Sequence, residues 1–377
     1  MKITRIQAIP FHAERDTAAV TGTAGSPAKL QAGEARYRWA EHYPVIYSTR
    51  FETALVRITL DDGSYGWGEA QAPVAPEVAC TIIDHILAPV LEGSEFDGAV
   101  EEIEALWWCM YSTMRVRGQT GGFMLDAIAG IDLALWDLAG KIQAKPVASL
   151  IGEPRGRVQA YLSGLPGGQV DSQFPLVKIF YHTHTAQLLR DCDNVLSHGC
   201  KIAVDALWRL TSETAVSLDA ELAARSAVWL EAPLLPESAR EHGELARAVR
   251  TPIALGESYR TLFELEPFFA AGAMRIVQPD LGRTGITGGL RIAREAQRLG
   301  VEVVPHVSIA LGPQLAAAIQ FAAAVPNCKL LEYNPDVLAT ANRYLATPLL
   351  MQETCYLTPD RPGLGIEPLQ AIAFCGL

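Results

Sequence analysis

From about residue 155 onward the chain repeats one unit eight times: a short apolar strand followed by a helical stretch. The strands fall at 158–162, 176–180, 202–206, 228–232, 253–257, 275–279, 301–305 and 330–333. A parallel neighbour can be reached only through a crossover, so strands alternating with helices imply a parallel sheet, and eight such units suggest closure into a barrel. The expected fold class is α/β, a modified TIM (β/α) barrel. Such a barrel takes about 250 residues, which leaves roughly a third of the 377-residue chain for a second unit.

The preceding part reads as α+β. Residues 1–11 alternate as a strand, 52–60 give a second, Asp61-Asp62-Gly63-Ser64 is turn chemistry, and 65–70 resume as a third. Helical stretches follow near 76–91, 97–113 and 122–143, the last apolar over most of its circumference and so expected to be buried on several sides. The stretch 12–50, with Thr21-Gly22-Thr23-Ala24-Gly25-Ser26-Pro27, has little periodicity and reads as a mobile lid. There Arg36, Arg38, His42 and Arg50 could meet an anion, although for any one of them a solvated charged face is the better reading. Pro348, Pro359, Pro362 and Pro368 mark an irregular tail. The expected domains are an α+β cap over 1–130, the barrel over 131–345, and a tail over 346–377 that returns to the cap.

Nearly every barrel strand ends in an ionisable residue. The series runs Lys178, Asp205, Glu231, Glu257, Asp280, His306 and Glu332 at intervals of 23 to 27 residues, one barrel unit each time. Side chains at the C-terminal ends of barrel strands converge on one mouth, where active sites are built. Any one of these residues could simply open a βα loop; the common register of all seven makes a site. Three consecutive strands bring in Asp205, Glu231 and Glu257, and three carboxylates repel one another unless a cation sits among them. Hard oxygen donors without Cys or His point to Mg²⁺. The next two strands supply Asp280 and His306, and an acid beside an imidazole fixes its tautomer and makes a competent general base. A carbon acid next to a carboxylate is very weak, so removing its proton needs stabilisation of the ene-diolate by a metal and charged neighbours. The matching reaction class is metal-assisted proton abstraction α to a carboxylate.

Other classes fall away. A formal charge of −11 with no Lys/Arg cluster argues against nucleic acid, yet a pocket can still be locally positive toward a small anionic carboxylate. The seven cysteines are scattered without a C-x-x-C, which suits reduced thiols. No apolar run reaches membrane length, and Met1 to Ile6 lacks a signal-peptide core, so a soluble, cytoplasmic protein is expected. The run Gly282 to Gly289 lacks the Gly-Lys-Ser/Thr ending of a phosphate loop and reads as a tight βα connection. Trp107, Trp108 and Trp136 fall in helices as core, and Glu69 reads as a structural hydrogen-bonding residue.

The chain resembles the mandelate racemase/muconate lactonizing enzyme branch of the enolase superfamily over nearly its whole length. The resemblance rests on Gly66-Trp67-Gly68-Glu69-Ala70, on Ala129 to Asp137, and on the strand ends Val204-Asp205-Ala206, Trp229 to Pro233, Leu255-Gly256-Glu257, Gln278-Pro279-Asp280, Val304-Pro305-His306 and Leu331-Glu332-Tyr333. It implies a capping domain over a modified barrel, bound Mg²⁺, and an enolate mechanism. By that likeness Asp205, Glu231 and Glu257 are metal ligands, His306 with Asp280 is the base, and Glu332 contacts substrate or the ene-diolate. Arg283 stands where relatives often carry a Lys behind the dyad and is a candidate substrate contact. So are His182 and His184, as alternatives to loop histidines facing water, and Arg50. Proteins of this kind often assemble, so a homo-oligomer is expected.

One departure bears on the reaction. Relatives commonly end the second barrel strand with Lys-x-Lys, the second Lys being a base; here Phe180 follows Lys178 at that spacing. Residues two apart on a strand point the same way, and a phenyl ring takes no proton. A racemase needs acid and base on both faces, whereas elimination of water needs one base. The expectation is a dehydratase of a sugar acid, an aldonate or aldarate, giving a 2-keto-3-deoxy acid, with Lys178 kept as a positive charge. A racemase or epimerase of a 2-hydroxy acid, or a non-catalytic binder of small acids, are the alternatives.

Overall fold

The computed structural model describes residues 1–14, 36–39, 45–165, 168–182 and 184–369. Thr21 to Pro27 and His42, expected in a mobile lid, lie outside the described residues. In chain order the cap contributes β1 (Ile3–Glu14), β2 (Tyr37–Trp39), β3 (Ile46–Ser48), β4 (Arg50–Leu60) and β5 (Tyr65–Ala70). An antiparallel sheet forms in the order β1-β4-β5, and β2 with β3 makes a separate hairpin. The β4–β5 turn is held by Asp62, whose carboxylate accepts from Ser64 N at 2.9 Å and Ser64 Oγ at 3.0 Å. The hairpin is tied to the sheet by Arg36, which donates to the buried Glu52 at 2.7 Å and to Glu77 at 3.0 Å. The segment expected to be a lid is therefore, where described, a pinned hairpin.

The helix Gly122–Ile142 is buried from Met124 to Gly140. One side packs on β5 and the other on the barrel helix Leu281–Leu299. Asp132 accepts from Thr287 N at 3.0 Å and the Trp136 indole donates to Thr287 Oγ1 at 3.0 Å. The boundary expected at 130/131 falls inside this continuous helix. An element apolar almost all round has two packing partners, and here they belong to different domains.

The barrel strands are β6 (Arg157–Ser163), β7 (Leu176–Phe180), β8 (Lys201–Asp205), β9 (Leu230–Glu231), β10 (Ile253–Leu255), β11 (Ile276–Val277), β12 (Glu302–Val303) and β13 (Leu330–Tyr333). They run parallel from β6 to β12, β13 pairs back on β6, and a single parallel bridge from Val303 to Cys328 spans the gap beside β12. Several ladders are shorter than expected. β9, for example, stops at Glu231 because Ala232 adopts a φ of 43°, outside the extended range. The interior is filled by Tyr161, Leu176, Ala203, Trp229, Ala254, Ile276 and Val304, one in or directly beside each strand but the last, with Leu330 of β13 packed against them. Burying each large apolar side chain contributes about 1.5–3 kcal/mol. The layer is thus a floor beneath the mouth.

The tail does more than return to the cap. β14 (Met351–Gln352) and β15 (Cys355–Leu357) form a hairpin that adds antiparallel to β6. Beyond it Leu364 N donates to Asp137 at 2.8 Å, and Glu367 accepts from Tyr65 and Trp67 of the cap at 2.9 and 3.2 Å. The run Gly282–Gly289, expected as a tight connection, is the start of the helix Leu281–Leu299, kinked at Gly285. Asp280 caps that helix through Gly282 N, so an extended loop is unnecessary. Trp107 and Trp136 are core, as expected, and the described cysteines are free. Among the described residues, no helix is long and apolar enough to cross a membrane.

Candidate active site

Two residues beyond the interior floor, on the same inward face, the eight strands present Ser163, Lys178, Asp205, Glu231, Gly256, Gln278, His306 and Glu332. The two-residue period of a strand carries each chain from an apolar position to a polar one at the same height. The fifth strand departs from the rule. Gly256 has a φ of 152° and an added Cβ would run into the Gln278 backbone, so the chain turns there and delivers Glu257 instead. Ser163, Lys178, Asp205, Glu257, His306 and Glu332 line a cavity of about 350 Å³, with Ile46, Tyr47 and Ser48 of the β2–β3 hairpin also in its wall. That volume suits a small molecule.

Asp205, Glu231 and Glu257 each place one carboxylate oxygen within 4.8 Å of the others. Glu231 is fully buried, and its Oε2 accepts from the Trp229 indole at 2.9 Å and the Gln278 amide at 2.8 Å. Asp205 Oδ1 accepts from Leu207 N at 2.9 Å. Burial, then the Glu231 charge, pushes the Asp205 carboxyl well above its usual range. Burial likewise raises Glu257, with His306 opposing and Glu231 adding to it. A divalent cation is the group that relieves such a cluster, and hard oxygens in this number fit Mg²⁺.

Lys178 lies against them. Its Nζ is 2.7 Å from Glu231, 2.8 Å from Glu332 and 3.7 Å from Asp205. Burial alone would lower its pKa, but Glu231 and Glu332 outweigh that and hold the ammonium charged. Glu332 also accepts from Ser163 Oγ at 2.6 Å and Val307 N at 3.1 Å. Against the cost of burial, Lys178 and His306 hold its carboxyl down at about 2. His306 Nδ1 is 2.8 Å from Asp280 Oδ2, and its Nε2 is 3.2 Å from Glu257. Burial lowers the imidazolium pKa, yet Glu257, Asp280 and Glu332 together push it up to about 10.

The seven strand-end residues therefore meet at one mouth. Arg283 lines the same cavity, and its Nε is buried without a hydrogen-bond partner among the described residues. Phe180 lines it too, its ring 5.6 Å from Lys178 Nζ. Three expected substrate contacts are not brought there. Arg50 is exposed at the start of β4, His182 is exposed on the loop after β7, and His184 is exposed at the N-cap of Thr185–Ser197. The His182 ring lies 6.4 Å from that of Phe180, but neither histidine lines the cavity. Sequence reasoning missed Ser163, Trp229 and Gln278, whose signal was available: each lies on the inward face of a strand that carries, or pairs beside, a site residue. It also missed the cap's Ser48 and Gln71 in the wall, which no periodicity marks.

Comparison with known proteins places this geometry. Residues 169–372 match the enolase C-terminal domain-like family, and residues 37–152 match the N-terminal domain of mandelate racemase/muconate lactonizing enzymes. The D-galactarolactone cycloisomerase of Agrobacterium fabrum is 30% identical over 351 residues, 85% of this chain and 90% of that protein. The D-galactonate dehydratase of Verminephrobacter eiseniae is 31% identical over 360 residues, 84% of this chain and 89% of that one. Among solved structures, a member of the enolase superfamily from Agrobacterium tumefaciens superposes with a TM-score of 0.89 at 29% identity, covering 99% of this chain and 98% of that one.

Proposed function

We infer the reaction from the chain's family: it belongs to the mandelate racemase/muconate lactonizing enzyme group of the enolase superfamily. Its members are enzymes, and relatives of this chain are named for work on acid sugars. The finer reading is a Mg²⁺-dependent dehydratase of an aldonate or aldarate that yields a 2-keto-3-deoxy acid.

Phe180 in the cavity wall carries this reading. It occupies the position of a second base on β7, three strands around the ring from His306 on the β12 side. Lys178, the nearest amine, is held charged by Glu231 and Glu332 and cannot accept a proton. One acid–base group is left, and elimination needs only one.

Asp205, Glu231 and Glu257 would hold the cation. When bound, it supplies Lewis-acid stabilisation to negative charge growing on the substrate carboxylate. With Glu257 committed to the cation, the foremost charge that holds the imidazolium protonated would be neutralised, and His306 would take the α-proton on Nε2, the ring atom left over once Asp280 has claimed Nδ1. Asp280 stabilises the imidazolium that results. Lys178 adds fixed positive charge beside the same oxygens. The imidazolium returns its proton to the hydroxyl departing from the β-carbon, and the enol relaxes to the 2-keto acid. Arg283 offers a second cation to an anionic substrate. The cycloisomerase relative favours a second reading of the same base, in which the group expelled from the β-carbon is a lactone ring oxygen.

The test is incubation of the full chain with Mg²⁺ and a panel of aldonates, aldarates and their lactones, in D₂O. At least one acid is expected to lose one water and give a 2-keto acid trapped by semicarbazide, with deuterium at C3. Recovery of every acid without 2-keto product would reject the dehydratase. Deuterated, inverted substrate with no loss of water would establish a racemase in its place.

A further inference from the structure

We propose that Gln314 is a positioning residue for the His306–Asp280 pair and couples the seating of the cap to the active site. The proposal rests on the reading of that pair as the proton-transferring group.

Asp280 divides its oxygens. Oδ2 faces His306 Nδ1 at 2.8 Å, while Oδ1 accepts from Gly282 N and from Gln314 Nε2, each at 2.9 Å. The second hydrogen of the Gln314 amide goes to Gln71 Oε1 at 2.9 Å. Asp280, Gln314 and Gln71 are all almost completely buried. An ionised carboxylate only accepts, so the charge on Asp280 fixes which end of the Gln314 amide faces it. Gln71 must then present its own oxygen, and its Nε2 is turned toward Ser308 Oγ in the cavity wall. One anion therefore orients two amides in series.

The series begins in the cap. Gln71 directly follows β5, and its N donates to Gly282 O at 2.8 Å. Glu69, on β5, accepts from Leu311 N at 2.7 Å and Gln314 N at 3.0 Å. Glu69 of β5 and Gln71 just after it thus hold the segment that follows the base, from Ser308 to Gln314. Gly282 makes room for the contact, because an added Cβ would run into the Gln314 amide, 2.9 Å from its Nε2. Gln314 Oε1 meanwhile is buried without a partner among the described residues. A buried, unsatisfied oxygen is a cost that an apolar side chain would avoid. The amide earns its place through its nitrogen.

The experiment uses the Mg²⁺-loaded full chain. The downfield proton resonance of His306 Nδ1–H is recorded at fixed pH in wild type, Gln314→Met, Asp280→Asn and the double variant. Met keeps the length of Gln and removes both donors. The resonance is expected to shift and broaden in Gln314→Met, with Mg²⁺ affinity unchanged. In the Asp280→Asn background Gln314→Met is expected to add nothing. On any acid that is turned over, kcat falls about 10–100-fold with KM unchanged. An unmoved resonance, or an equal further loss in the Asp280→Asn background, would overturn the proposal. Should Gln314→Met not fold, Gln71→Met breaks the series one bond farther out, and an unmoved resonance there has the same force. The resonance needs no substrate, so an error in the assigned reaction would leave this test readable.

Discussion

His306→Asn lowers turnover of the true substrate by about 10²–10⁴-fold and stops solvent deuterium from entering the carbon next to its carboxylate. Asn retains a donor toward Asp280 but has no atom that accepts a proton at neutral pH. The Asp205, Glu231 and Glu257 oxygens are untouched, so Mg²⁺ binding persists. The same substitution has a pH-dependent effect on the metal-free chain. The folded His306 pKa is about 10 against 6.5 for the free group, so protonation favours the folded state. That contribution is fully present below pH 6.5 and is lost as pH rises through about 10. Urea unfolding should therefore show a larger deficit for His306→Asn at neutral pH than in strongly alkaline buffer. An α-proton exchange rate unchanged by the substitution would remove His306 from the reaction.

Asp205→Asn has opposite consequences with and without metal. Burial and Glu231 raise the Asp205 pKa in the fold above its usual value of 3.8, so its charge opposes folding at every pH above that value. Neutralising it in the metal-free chain is expected to raise the melting temperature near pH 7, even though the 3.7 Å approach of Lys178 is lost. With Mg²⁺ the order reverses. A ligand is gone, and Mg²⁺ affinity drops by at least the ~10–100-fold that loss of mere supporting residues costs at metal sites. Wild type gains stability with Mg²⁺ as binding to the folded state requires, and the variant does not. Differential scanning calorimetry with EDTA and with Mg²⁺ reads both arms. A variant less stable than wild type in EDTA would show that the cluster is held by its protein partners alone.

What could be read beforehand follows from how far each interaction reaches along the chain. The strand-end series was legible because a barrel converts a linear interval into a shared height, and Lys178 through Glu332 obey it. Glu257 and Asp280 needed the fold: Gly256 rather than the strand period delivers the first, and the second lies past Gln278 at a helix N-cap and reaches the site through His306. Phe180 was legible for the same reason as Lys178, two residues apart on β7. The limits lay elsewhere. Helix Gly122–Ile142 announced burial but not that its two faces serve two domains, so the domain boundary was set inside it. His182 and His184 follow a site residue in sequence, yet both are exposed just ahead of the helix at Thr185 and neither lines the cavity. Gln71 and Gln314 are 243 residues apart, and single amides carry no pattern by which such a meeting could be foreseen.

Asp205, Glu231 and Glu257 as one divalent-cation site is the claim on which the rest stands, and it can be measured without a substrate. Isothermal titration of the EDTA-treated, dialysed chain with MgCl₂ should show saturable binding of one ion per chain. The heat should disappear in Glu231→Gln, while Arg50→Met, outside the cavity lining, binds as wild type does. No saturable binding to the wild-type chain, or binding indifferent to Glu231→Gln, would contradict it.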